Sequence, residues 1–311
     1  MRLVFLGTPG FAVPTLERTV VAGHEVVEVV TQPDRPRGRG RQLAASPVKE
    51  AAMRLGIPVY QPERVRRPEA VEHLRALAPD AMVVVGYGQI IPQSAIDLAP
   101  LGIINVHASL LPKYRGAGPI QWAIANGETR TGVTTMRIDA GLDTGEMLLK
   151  AETDIGPEEN AVELGLRLAE MGADLLVRTL AGLADGSIAP EKQDSAQATY
   201  APLLKKEDGA IEWSRPALEI HNRVRGLQPW PGASTVFRGQ TLHVWRSRVA
   251  DAGAGGAAGA VRSVRPLVVQ CGSGALELLE VQMEGRKRVP AGDFANGQRL
   301  TENEILGETH A

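Results

Sequence analysis

Residues 80–107, "DAMVVVGYGQIIPQSAIDLAPLGIINVH", contain the pattern that decides the fold. The run at its start, residues 80–88, and the run at its end, residues 102–107, are short and apolar on both faces. Strands that are buried on both faces are typical of a parallel sheet between two layers of helices. The sequence therefore predicts an α/β domain built around these two strands.

Similar apolar runs alternate with helical patterns along the first 188 residues. Further strands are predicted at 2–7, 25–32, 57–62, 131–139 and 145–155, and helices at 11–23, 46–56, 67–79, 117–127 and 160–186. Ser46 and Pro47 are typical of a helix start. Alternating strands and helices predict a doubly wound, mostly parallel, Rossmann-like sheet.

The pattern changes after residue 189. Residues 190–207 are polar and irregular, which predicts a linker between two domains. A helix is predicted at 216–226, and short β runs separated by glycine-rich turns follow it. This pattern favours a smaller, OB-like β-barrel at 208–311, after the α/β domain at 1–189.

Composition restricts the class of protein. The single cysteine, Cys271, excludes an intramolecular disulfide and a metal site with several cysteine ligands. We expect no metal. No apolar stretch approaches the length of a membrane span, so we expect no membrane partner and a cytoplasmic location. "GTPGFA" (7–12) lacks the Gly-x-Gly-x-x-Gly fingerprint, which argues against a nicotinamide cofactor.

Positive charge is concentrated in two places. Residues 213–299 hold twelve Arg/Lys and six Asp/Glu, a net charge of +6 in a chain whose total is −2. Residues 34–43 carry four arginines and are expected to form an exposed, mobile loop: Arg35, Arg37, Arg39 and Arg41. Residues 213–299 form either a solvated basic surface or a site for a polyanion. In residues 34–43 the four arginines repel one another, which favours a polyanion partner, because arginine suits phosphate oxygens.

Two polar side chains interrupt the strand at 102–107. Strand alternation places Asn105 and His107 on one face, and His107 ends the strand. Ligands of open parallel sheets bind at the carboxyl ends of strands. An amide and an imidazole are costly to bury without hydrogen bonds, so this pair indicates either a satisfied core group or a functional site.

A carboxylate is available downstream in "RIDAGLDTGEML" (137–148). Asp139 and Asp143 bracket a glycine turn, and the residues alone leave open which of them meets His107. An amide, an imidazole and a carboxylate together suit acyl transfer, as oxyanion donor and acid/base pair. No serine or cysteine nucleophile is clearly placed beside them, and direct attack by an amine needs none.

The motifs "NVHASLLPKYRGAGPIQWAI" and "GLDTGEML" together resemble the formyl-folate-dependent formyltransferases, and similarity extends through "TQPDRPRGRGRQL", "KEDGAIEWS" and "LQPWPGA". The resemblance implies the catalytic set Asn105, His107 and Asp143. It also implies a folate pocket and a tRNA-binding loop in which Arg39 matches the key arginine. The implied folate residues are Ser109, Leu110, Leu111, Pro112, Gly86, Tyr87 and Gly88, and the tRNA residues are Arg35, Arg37, Arg39 and Arg41.

The reaction implied is formyl transfer from 10-formyltetrahydrofolate, as co-substrate, to the α-amine of initiator methionyl-tRNA in translation initiation. Separately from the resemblance, we expect a monomer. Alternatives are a formyltransferase acting on another amine, such as an amino-sugar nucleotide, and a formyl-folate hydrolase. From another class, a non-catalytic RNA-binding protein would explain the basic segments but not Asn105, His107 and Asp143.

Overall fold

The computed structural model describes residues 1–37, 42–251 and 255–307. The chain divides into two compact units, and neither is continuous in sequence. The first comprises 1–116, 131–153 and 165–200, and the second comprises 117–130, 154–164 and 201–311. The domain limits predicted from the sequence, at 189 and 208, stay predictions.

The first unit is organised around the predicted sheet. Its strands, in chain order, are β1 (Arg2–Gly7), β2 (Glu25–Val30), β3 (Arg35–Arg37), β4 (Gln42–Ala44), β5 (Val59–Tyr60), β6 (Ala81–Val85), β7 (Ile103–His107), β8 (Arg130–Arg137) and β9 (Met147–Asp154). Among the described residues the main sheet has seven strands, in the order β5-β2-β1-β6-β7-β8-β9. The pairs from β5 to β7 are parallel and β8 is antiparallel to β7, so the mostly parallel α/β sheet is confirmed.

Helices connect these strands, as the sequence predicted. They are α1 (Val13–Val21), α2 (Pro47–Arg54), α3 (Pro68–Ala76), α4 (Gln93–Ile96), α5 (Pro119–Ala125) and α6 (Ala161–Ala184). The Ser46 hydroxyl accepts the Lys49 N–H at 3.1 Å, which confirms the predicted cap of α2. Of these six helices, α4 was not predicted, because one turn is too short to show a periodic pattern. In the described part of the chain, no helix is both long and apolar enough to cross a bilayer.

The arginine-rich segment 34–43 differs from its prediction at both ends. Instead of an irregular loop, β3 and β4 pair in antiparallel register, Arg35 with Ala44 and Arg37 with Gln42. Short flanking segments can satisfy their backbone groups by pairing with each other, whatever the charge of their side chains. Arg39 and Arg41 lie outside the described residues.

The second unit is rich in antiparallel strands, as predicted. It contains α7 (Ala217–Gly226), β10 (Ala233–Phe237), β11 (Gln240–Ala250), β12 (Val261–Val264), β13 (Leu267–Gln270), β14 (Ala275–Met283), β15 (Val289–Pro290) and α8 (Ala291–Gln298). Strand order is β10-β11-β14-β13-β12, with β15 on β14, and closure into a barrel stays a prediction. Helix α8 was missed because "AGDFANGQ" holds two glycines and little apolar periodicity.

Candidate active site

The candidate site lies at the carboxyl end of β7, where the sequence placed it. Asn105 and His107 are 9% and 6% exposed. Their strand has β6 as a parallel neighbour on one side and β8 as an antiparallel neighbour on the other. Its backbone groups are therefore held by the sheet, and both side chains start from a rigid support.

The carbonyl oxygen of Tyr114 fixes the protonation of one ring nitrogen of His107. His107 Nε2 lies 2.9 Å from this oxygen, which can only accept a hydrogen bond, so Nε2 carries a proton. The other nitrogen, Nδ1, faces Asp143 Oδ2 at 3.7 Å. That separation is too long for a direct hydrogen bond, and it leaves the Nδ1 lone pair of a neutral ring available for a proton.

Asp143, and not Asp139, completes the trio with Asn105 and His107. Its Oδ2 accepts the Gly116 N–H at 2.8 Å, and its Oδ1 lies 3.5 Å from Asn105 Nδ2. Asp139 instead caps its own turn, because its Oδ1 accepts the Gly141 N–H and the Thr144 hydroxyl. The structure thus resolves a choice that the residues alone left open.

The turn that carries Asp143 is tightly constrained. Asp143 has a φ of +52°, a left-handed conformation that costs a non-glycine residue about 1 kcal/mol or more. Gly145 is required two residues later, since a Cβ there would overlap the carbonyl oxygen of Arg137. Surrounding contacts must therefore hold this turn in place.

Gln193 supplies such contacts, and the sequence analysis missed it. Its side-chain Nε2 donates to the carbonyl oxygens of Asp143 and Gly145, both at 2.8 Å. Its Oε1 accepts from Arg115 Nε at 3.0 Å and from Arg115 Nη2 at 2.8 Å. Nothing in the sequence signals this role, because Gln193 lies 50 residues from Asp143 in a segment without periodicity.

Gln193 belongs to a segment, residues 191–200, that we call the strap. Glu191 and Met147 exchange backbone hydrogen bonds at 2.8 Å in both directions. At the other end, Thr199 accepts from the backbone N–H of Tyr114 through its hydroxyl and from that of Arg115 through its carbonyl, both at 2.9 Å. Most of the predicted linker is therefore bound to the two loops that carry the site.

The segment 109–112 combines buried and accessible side chains. Ser109 is fully buried and donates its hydroxyl to the Lys113 carbonyl at 2.6 Å, while Leu111 packs against Met136 and Met147. Leu110 and Pro112 are partly exposed. In this segment, therefore, the side chains of Leu110 and Pro112 are the ones accessible to a ligand.

The loop 86–88 presents its backbone and not its aromatic ring. Gly86 and Gly88 are exposed, with φ of +58° and +83°. The Tyr87 side chain is buried in the core, and this burial raises the pKa of its hydroxyl. The Tyr87 carbonyl accepts from the Thr8 hydroxyl at 3.0 Å.

The arginine hairpin approaches this loop. Exposed Arg35 lines a pocket of about 290 Å³ together with Gly88, and the pocket includes two more arginines, Arg64 and Arg66. Arg37 lies in β3. Arg35, which is predicted to bind tRNA, and Gly88, which is predicted to bind folate, thus line one pocket of the first unit.

Most of the described basic residues of the second unit have partners. Buried Arg225 donates to the carbonyls of Gly156 and Glu159, and burial lowers the pKa of its guanidinium. Arg238 pairs with Glu304 at 2.8 Å. Arg248 pairs with Glu277 at 2.5 Å. The charge excess counted from the sequence is thus partly neutralised within the unit.

The basic residues in the turn between β14 and β15 are not neutralised in this way. Residues 284–288, which we call the basic turn, include Arg286, Lys287 and Arg288, all exposed and without an ion-pair partner in the part of the chain that the structure describes. The guanidinium carbon of Arg288 lies 3.6 Å from the centre of the Trp245 ring, a cation–π contact. The turn therefore presents positive charge to solvent.

Comparison with known proteins agrees with this architecture. Residues 1–180 match the family described as formyl transferase, and residues 203–299 match its C-terminal domain. The chain is 76% identical over 310 residues to the methionyl-tRNA formyltransferase of Solibacter usitatus, with 100% of each chain covered. It is 58% identical over 308 residues to that of Koribacter versatilis, with 99% of each covered.

A solved structure shares the fold at low identity. The N-formyltransferase of Helicobacter canadensis, in complex with folinic acid and dTDP-3-aminofucose, superposes with a TM-score of 0.65 at 17% identity. The match covers 92% of this chain and 99% of that one. On the family matches and the full-length identities together, this chain belongs to the formyl transferase family.

Proposed function

We propose that this chain transfers a formyl group from 10-formyltetrahydrofolate to the α-amine of initiator methionyl-tRNA, for translation initiation. The observation that carries the proposal is the convergence of the Asn105 amide, His107 Nδ1 and the Asp143 carboxylate at the carboxyl end of β7. The choice of acceptor is supported by the names of the full-length relatives. The reaction belongs to the cytoplasm, and we propose a monomer.

In the reaction, the amine nitrogen bonds to the formyl carbon, and the bond from that carbon to N10 of the folate breaks. The carbonyl oxygen becomes an oxyanion in the tetrahedral intermediate. Asn105 has an amide N–H to donate to this oxygen, and its hydrogen bond to Asp143 is long, at 3.5 Å. A preorganised donor of this kind is worth about 10²–10³ in kcat.

His107 and Asp143 accept the proton of the attacking amine and pass it on. The amine must be neutral to attack, and it loses a further proton after bonding. Since the proton on His107 Nε2 is held by Tyr114, the acceptor on this ring is Nδ1, which faces the Asp143 carboxylate. This pair takes the proton, directly or through water, and delivers it to N10 of the departing tetrahydrofolate.

The folate site we propose comprises residues 109–112 and 86–88. Leu110 and Pro112 offer apolar contact, and Gly86 and Gly88 let a ligand approach the backbone closely. Ser109, Leu111 and Tyr87 support this surface from the buried side. No metal enters the proposal.

The tRNA sites we propose are two basic elements, one in each unit. The segment 34–43, of which residues 35–37 and 42–44 pair as β3 and β4, carries Arg35, Arg37, Arg39 and Arg41 in its sequence. In the second unit, the basic turn offers charges that are not already neutralised. Phosphate contacts of this kind supply affinity without requiring exact geometry.

The experiment presents three acceptors to the purified chain with 10-formyltetrahydrofolate: methionyl initiator tRNA, an amino-sugar nucleotide, and water alone. We expect formylmethionyl-tRNA as the main product. Transfer only to the sugar amine would support the first alternative. Formate release at the same rate without any amine would identify a hydrolase, and tRNA binding without turnover would identify a non-catalytic RNA-binding protein.

A further inference from the structure

We propose that Gln193 is a positioning residue for Asp143. Its side-chain amide links the buried Arg115 to the turn between β8 and β9 that carries Asp143, which we call the catalytic turn. The inference rests on the proposed function for its kinetic readout. Gln193 touches no reacting atom in this proposal, and it acts by holding the backbone from which the Asp143 carboxylate projects.

The Asp143 turn needs an external support. Its central residue has a left-handed φ, and Leu142 beside it is 62% exposed, so packing does little to hold this part of the turn. The Gly116 N–H fixes one carboxylate oxygen of Asp143, and Asp139 caps the turn from within, but neither contact binds the backbone carbonyls of Asp143 and Gly145. The two hydrogen bonds from Gln193 Nε2 to the carbonyls of Asp143 and Gly145 fix the backbone on both sides of Thr144.

Gln193 lies between the guanidinium of Arg115 and two backbone carbonyls, and the hydrogen-bonding needs of these groups require an amide at position 193. The Arg115 guanidinium can only donate, and the two carbonyls can only accept. The oxygen of an amide accepts from the guanidinium, and its two N–H groups donate to the two carbonyls. A carboxylate at 193 would satisfy Arg115 but could not donate to the carbonyls.

Arg115 fixes the orientation of this amide. Its side chain is nearly inaccessible, at 3% exposure, and it forms two hydrogen bonds to Gln193 Oε1, of 3.0 and 2.8 Å. A buried charge without hydrogen bonds would be costly, so this contact is strongly favoured. Once Oε1 is bound to Arg115, Nε2 must face the Asp143 turn.

The test is Gln193→Glu, with Gln197→Glu as matched control. Gln197 lies in the same strap and is exposed. Among the described residues its side chain donates one hydrogen bond, to Asp194 at 2.9 Å, so this change adds the same charge without reaching the site. We expect Gln193→Glu to lower kcat about tenfold or more, because small displacements of catalytic groups are costly. The KM for both substrates and the Tm should stay within experimental range of wild type. Gln197→Glu should keep kcat within about twofold.

A second variant and a second measurement keep the inference testable. Gln193→Met replaces the amide with an uncharged side chain of similar length, and we expect the same loss of kcat if the Glu variant does not fold. Wild-type kcat in either folded Gln193 variant, a raised KM with unchanged kcat, or an equal loss in Gln197→Glu would overturn the proposal.

The NMR signals of the His107 ring, in protein labelled with ¹⁵N-histidine, provide a readout that needs no substrate. We expect them to shift in Gln193→Glu and not in Gln197→Glu, because Asp143 moves relative to His107 Nδ1. If wild type does not formylate methionyl-tRNA, the proposed function fails, while an NMR shift still supports the positioning role. Unchanged His107 signals in Gln193→Glu would contradict it.

Discussion

The catalytic turn and the basic turn are both exposed connections between strands, and they use polar residues in opposite ways. In the turn between β8 and β9, Asp143 is bound through its carboxylate and through its carbonyl, by Gly116, Asn105 and Gln193. In the turn between β14 and β15, Arg286, Lys287 and Arg288 make no ion pair among the described residues.

This difference in hydrogen bonding and ion pairing fits the different roles proposed for the two turns. Stabilising a transition state, the role proposed for the first turn, requires groups fixed to a fraction of an ångström, and the polar atoms of that turn are hydrogen-bonded to the protein. Attraction to phosphates, the role proposed for the second turn, requires charge at the surface and tolerates movement, so its cations need no ion-pair partner. A conservative substitution of Asp143 in the first turn should therefore be damaging, and conservative substitutions in the second turn should be mild.

The largest expected effect comes from Asp143→Asn, which keeps the shape of the side chain and removes its charge. We expect kcat to fall about 100-fold or more, because the proton that His107 Nδ1 accepts from the amine is no longer stabilised by the carboxylate of Asp143. Steady-state formylation of methionyl-tRNA measures this effect.

Asp139→Asn is the matched control in the same turn. Its amide oxygen can still accept the Gly141 and Thr144 hydrogen bonds, so kcat should stay within about twofold. Equal losses for the two variants would show that the turn needs both carboxylates, and would remove the distinction drawn between them.

A smaller effect is expected from replacing Arg286, Lys287 and Arg288 together by glutamine. The Kd for tRNA should rise about tenfold at moderate salt, and the slope of log Kd against log salt should fall by about 2, near 0.7 for each lost phosphate contact. Filter binding at several salt concentrations measures both quantities, and kcat at saturating tRNA should not change.

Arg248→Gln serves as the control for that triple variant, because Arg248 is already paired with Glu277. Its tRNA affinity should stay near that of wild type. If Arg248→Gln weakened binding as much as the triple variant, net charge and not the basic turn would determine affinity.

Arg39→Ala addresses the arginine-rich segment 34–43. We expect tRNA affinity to fall about threefold to tenfold while folate affinity is unchanged, because a phosphate contact is lost and the proposed folate residues are untouched. Binding of each substrate is measured separately by calorimetry. Weaker folate binding would place Arg39 at the folate pocket instead.

The smallest effect is expected from Arg288→Lys. The substitution keeps the charge and loses the planar contact with Trp245, so tRNA affinity should change less than twofold. A loss as large as that of the triple variant would mean that the basic turn depends on precise geometry, as the catalytic turn does.

The sequence by itself determined the class of the fold, most of its helices and strands, and the position of Asn105 and His107. These follow from local rules: apolar periodicity, helix capping at Ser46, and the alternation that places two residues of a strand on one face. Family resemblance added Asp143 and the substrate residues, which local rules left open.

Only the tertiary structure decided how the site is held together. Asp143 is separated from His107 by 36 positions, and Gln193 from Asp143 by 50. No periodic pattern connects positions so far apart, and their contacts require β7, β8 and β9 to lie side by side in the sheet. The strap looked like a linker for the same reason: its hydrogen bonds are satisfied by distant loops, and not by its own sequence neighbours.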